Sequence, residues 1–119
     1  MHKLSIIDNN KLPFLKYIAS REKKAEGRIA SKFVRNLKVG EKLLLFSKVK
    51  FVVCNIKYLH FYKSFKEMLD VEGLENMVPF VETTQQALDI YNNFPGAARV
   101  KKLGCCAIGL DFIEDGVYN

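Results

Sequence analysis

A chain of 119 residues, 49% of them hydrophobic, is the size of one domain with one core. No apolar run approaches the roughly 18 residues that a membrane-spanning helix needs. Met1–Asn10 lacks a signal-peptide pattern, and three cysteines (Cys54, Cys105, Cys106) with two distant histidines (His2, His60) form neither a disulfide framework nor a zinc site. The expectation is an intracellular protein, cytoplasmic or nuclear, with no metal, no cofactor and no membrane partner. Its net charge of +6 is unevenly spread: residues 1–66 hold sixteen of the nineteen Lys and Arg against four acids, residues 67–119 three against nine. A basic half of this kind is either a solvated surface or the electrostatic footprint of a phosphate-backbone site.

In chain order, Lys3–Ile7 reads as a strand, and Asn9 or Asn10 as the N-cap of a three-turn helix reaching Arg21 or Glu22, with Pro13 in its first turn. Ala25–Ala30 is extended, with Gly27 inside it allowing a close approach. Ser31–Lys38 reads as an irregular basic segment in which Lys32, Arg35 and Lys38 surround Phe33. Such interleaving suits a single strand of nucleic acid, or Phe33 simply anchors the loop in the core. Lys42–Phe46 and a long strand from Val49 to Tyr58 follow. Capping boxes at Ser64–Glu67 and Thr83–Gln86 open two helices, the first ending at Gly73. Leu103–Phe112 reads as a closing strand of small residues, with Cys105 and Cys106 as core filler. A polar, frayed tail is expected from Glu114.

The stretch with the densest chemistry is Ala19–Arg28, A-S-R-E-K-K-A-E-G-R. In extended backbone Glu26 and Arg28 share a face, and Lys23 sits at the turn just before them. An ammonium, a carboxylate and a guanidinium together can hold a polar, planar, partly anionic ligand, although a charge run is also what an ordinary solvated face looks like. The segment resembles the G-x-K-x-x-E-x-R signature of the ASCH domain, a branch of the PUA-like superfamily, with Arg21 standing in the Gly position. V-G-E-K at Val39–Lys42 and F-P-G at Phe94–Gly96 follow in the order found in that family. The resemblance implies an α+β fold, a PUA-like small β-barrel of five to six strands decorated by about three α-helices, over the whole of 1–119.

The resemblance also implies function. It points to binding of RNA or a nucleotide in a charged cleft. A second implication is hydrolysis of the acetyl amide of N4-acetylcytidine, a modified nucleoside, because Glu75-Asn76-Met77 is similar to an E-N-M stretch in that small branch. A third is ribonuclease activity. Carried over by position, Lys23, Glu26 and Glu75 are the catalytic candidates, and Arg28, Lys24 and Tyr91 the substrate-binding ones. Lys32, Arg35 and Lys38 are the nucleic-acid-binding candidates. Amide hydrolysis needs a group to activate water, a proton for the leaving amine and positive charge near the oxyanion. Glu26, where the hydrolases have Thr, would instead hold Lys23 as a cation. Phosphate loops and dinucleotide fingerprints are absent from the sequence.

Overall fold

A computed structural model describes residues 1–118. Its five strands are β1 (His2–Ser5), β2 (Ala25–Ile29), β3 (Lys42–Phe46), β4 (Lys50–Tyr62) and β5 (Cys105–Val117). The helices are α1 (Phe14–Ala19), α2 (Lys32–Arg35), α3 (Phe65–Glu72), α4 (Leu74–Met77), α5 (Thr84–Asn92) and α6 (Val100–Leu103), with a 3-10 turn at Ala97–Arg99. No helix among the described residues is long and apolar enough to cross a membrane.

The strands form one mixed sheet in the order β1-β3-β4-β5-β2, with β1 parallel to β3 and the other pairs antiparallel. The α+β class is as expected, but the barrel is not closed. β1 and β2 are the two sheet edges and share no ladder; a side chain joins them, Arg28 Nη2 donating to the Ser5 carbonyl at 2.7 Å. Register shifts between Val53 and Cys54 and between Ile56 and Tyr58 mark irregularities in β4, and bulges bend a strand and increase its twist. One core cluster gathers Phe14, Leu15 and Ile18 of α1 with Leu43, Cys54 and Ile108 of the sheet. The other gathers Met68, Met77 and Tyr91 of the later helices with Ala25 and Ala107.

Several local expectations need correcting. Asn9 does not cap α1: its Oδ1 accepts from Lys11 N and Leu12 N, both at 2.9 Å, and closes a turn, so the helix begins only at Phe14. The basic segment is not irregular, because Ser31 caps the single turn α2. Glu114–Val117 is strand rather than frayed tail, since it pairs with Lys50–Val53 in the long β4–β5 ladder. Both expected boxes lie at helix starts, but only Thr83–Gln86 is reciprocal, Thr83 Oγ1 accepting from Gln86 N and Gln86 Oε1 from Thr83 N. At the other, Ser64 Oγ accepts from Glu67 N and the return bond from Glu67 is not made. Gly27 does allow a close approach: a Cβ there would lie 2.8 Å from Met68 Cε and 2.9 Å from Tyr91 Oη.

Cys54, Cys105 and Cys106 are buried and free. Burial pushes all three thiols from 9.0 up to about 12. Burial, with the Glu72 charge beside it, raises the Tyr58 phenol from 10.0 to about 12, and burial raises Tyr91 well above 10.0. Groups whose folded pKa is raised contribute stability that is intact below the unfolded pKa and lost as pH climbs above it. Each costs up to about 1.4 kcal/mol per pH unit. Burial raises the Tyr62 phenol as well, while burial of Lys23 lowers its pKa from 10.5 and acts in the opposite sense, as one group against six. Cooperative unfolding is therefore expected at about pH 10–11. Far-UV circular dichroism and thiolate and tyrosinate absorbance followed together should change in one transition; thiolates appearing while the dichroism is intact would contradict it.

Candidate functional site

The open seam between the two sheet edges is a cleft of about 350 Å³. Leu4–Ile7 line one side and Glu26–Ile29 the other. Phe33 and Val34 of α2, Phe65 of α3, Tyr91 of α5 and the segment through Phe94, Pro95, Ala97 and Arg99 complete it. The lining is mainly apolar, so its few polar groups decide what it can hold.

Strand β2 sets those groups. Its alternation turns Ala25 and Gly27 toward the later helices and Glu26 and Arg28 toward the opposite face, across from Ile108 and Cys106. Glu26 is only 3% exposed. Its Oε2 accepts from Arg28 Nε at 2.8 Å and its Oε1 lies 3.3 Å from Lys23 Nζ. Arg28 spends Nε on Glu26 and Nη2 on Ser5, and Nη1 has no protein partner among the described residues. Tyr91 is buried and its hydroxyl, which packs against Gly27, is without a hydrogen-bond partner. The cleft thus offers a fixed carboxylate, a guanidinium edge and a phenolic donor within apolar and aromatic walls.

The Lys23–Glu26–Arg28 set is assembled as its spacing suggested, yet Lys23 does not face the cleft. Its ammonium donates to Ala25 O at 2.7 Å and to Met77 O, and the pair with Glu26 engages the third proton. Burial lowers the Lys23 pKa, while the Glu26 charge pulls it back up. A buried ammonium with every proton engaged inside the protein positions Glu26; it has none left for a reacting group. Glu75 is exposed on α4 and does not line the cleft. The E-N-M stretch meets the charged signature through its backbone instead, Met77 O accepting from Lys23 and Asn76 O from Lys24 N. Lys24 itself is exposed, donates to Arg21 O at 3.0 Å and borders a different groove. Tyr91 and Arg28, the other two substrate-binding candidates, both line the cleft. Lys32 and Arg35 lie on α2 and Lys38 just beyond it. Arg35 donates to Ala30 O and Leu103 O and covers the Phe61 ring.

Sequence reading missed Arg99, which the turn after Phe94-Pro95-Gly96 brings to the cleft. It also missed a polar cluster on β4, where Tyr58, His60 and Tyr62 all donate to Glu72 of α3. Burial alone would raise the Glu72 carboxyl, but these three donors outweigh it and hold the carboxyl below 4.5. The period-two spacing of those three residues was the available signal.

Two solved structures share this architecture over nearly the whole chain. The crystal structure of the hypothetical protein PH0355 matches with a TM-score of 0.81 and 30% identity over 95% of this chain and 100% of that one. The solution NMR structure of protein PF0455 from Pyrococcus furiosus matches with a TM-score of 0.75 and 31% identity, over 95% and 97% of the two chains. The chain belongs to the family of these proteins. No family model matches the sequence, and no curated protein does. Because the match covers 95% of this chain, the small α+β fold is a property of that family and not of this sequence alone.

Proposed function

We propose that the cleft binds a nucleobase, as a free nucleoside or nucleotide or within RNA, and that the chain is an ASCH-type, PUA-like binding domain. The observation that carries this is the Glu26–Arg28 couple set in an apolar, aromatic-walled cleft of about 350 Å³. A carboxylate accepts from a base's amine or imine while a guanidinium donates to its ring nitrogen or carbonyl. Aromatic walls take the flat faces. Arg21 supports the resemblance: its φ of 68° lies in the left-handed region that favours glycine, the residue the signature carries there. Hydrolysis of N4-acetylcytidine draws on Glu75 beside Lys23, and neither residue lines the cleft, so binding is the reading that the geometry supports best.

The test is a titration with adenosine, cytidine, guanosine, uridine and N4-acetylcytidine, followed by amide NMR shifts, with acetate release assayed on the same samples. Saturable shifts are expected at Gly27, Arg28 and Ala97. Arg28→Lys, which keeps the charge and loses the planar fork, should weaken binding about tenfold. Shifts absent for every nucleoside would retire the reading, and acetate release would reinstate the hydrolase.

A further inference from the structure

We infer that the cleft takes its base from a single-stranded nucleic acid whose phosphates run over a cationic rim built by Lys32 and Arg35 of α2 with Arg99, Lys101 and Lys102. The inference rests on the cleft reading and names the partner that presents the base. Residues 67–119 carry only three cations, and all three fall within Arg99–Lys102. Tertiary structure brings that turn against α2: Ala30 N donates to Gly104 O at 3.0 Å and Arg35 Nη2 to Leu103 O at 2.8 Å. Two segments about seventy residues apart in sequence therefore pool five exposed cations at one place. None of the five is in an ion pair with an acid among the described residues.

The rim adjoins the cleft directly. Ser31 and Phe33, which flank Lys32, line the cleft, and so does Arg99. Both arginines are held in place, Arg35 by two carbonyls and the Phe61 ring, Arg99 by Nε donating to Gly96 O at 3.2 Å. A held guanidinium loses little rotamer entropy on meeting a phosphate. Phe33 is 41% exposed at the mouth, a stacking face for the neighbouring base. A cleft of this size admits one unstacked base, and a single strand offers that without the cost of opening a duplex.

The experiment measures anisotropy of a labelled eight-nucleotide RNA, and of DNA of the same sequence, from about 50 to 200 mM salt. Single strands give a slope of log affinity on log salt of about −0.7 per phosphate contact, so five contacts predict about −3.5. Lys32→Ser/Lys101→Ser/Lys102→Ser removes three exposed cations and should bring the slope to about −1.4, with nucleoside binding unchanged. Lys48→Ser/Lys50→Ser, at the far end of β4 from Tyr62 and Gly104, should leave the slope as it was. An unaltered slope in the triple variant, or an equal fall in the control, overturns the rim. A heparin fragment of equal charge binding as tightly as the strand overturns the nucleic-acid assignment in favour of a general polyanion. RNA bound in preference to DNA assigns the strand to RNA. Failure of the cleft reads differently: nucleosides would shift nothing while strand binding kept its rim-dependent slope.

Discussion

Lys23→Met is expected to lower the melting temperature by about 10–20 °C. The ammonium is buried behind β2, and its partners come from three places: the strand's first carbonyl, the end of α4 and the Glu26 carboxylate. Methionine fills most of the volume but leaves two buried carbonyls and one carboxylate oxygen without their donor. Breaking one partner of a buried pair costs about 3–5 kcal/mol. At this chain length each kcal/mol corresponds to about 3–5 °C. Thermal denaturation by circular dichroism checks it. A melting temperature within about 2 °C of wild type in Lys23→Met would mean that the ammonium does not hold α4 against β2.

Tyr91→Phe should move stability and affinity in opposite directions. The hydroxyl is buried at the cleft and unpaired in the ligand-free protein, while the ring stacks on Phe65 with centroids 5.0 Å apart. A buried unsatisfied polar group costs about 1–3 kcal/mol, so phenylalanine, which keeps the stack, should raise the melting temperature by about 3–10 °C. The same hydroxyl is a ready donor for a ligand carbonyl or ring nitrogen, since burial keeps it protonated. Its removal should weaken nucleoside binding about five- to tenfold. Calorimetric melting and the nucleoside titration on the same two proteins give the answer. A less stable variant with unchanged affinity would assign the hydroxyl to packing and remove it from the site.

What the sequence determined by itself was local. The Glu26–Arg28 pair follows from period-two spacing, and the starts of α3 and α5 from Ser64 and Thr83 three residues before a backbone donor. The small, apolar surroundings of Cys105 and Cys106 place them in the core. These rest on contacts between residues a few positions apart, where geometry is nearly fixed once the backbone is helical or extended. The rest depended on partners far away in the chain. Glu114–Val117 looks like a polar tail until Lys50–Val53 pairs with it. Lys23 looks like a reactive amine until Met77, 54 residues on, supplies the carbonyl that engages it. Whether the sheet closes, and hence whether a cleft exists at all, was decided at the two edges, where a half-buried guanidinium spans the seam to Ser5 in place of a ladder. Tertiary packing also decided that Glu75 faces solvent and that Arg99–Lys102 joins α2, because no local periodicity records which face of a one-turn helix will find a neighbour.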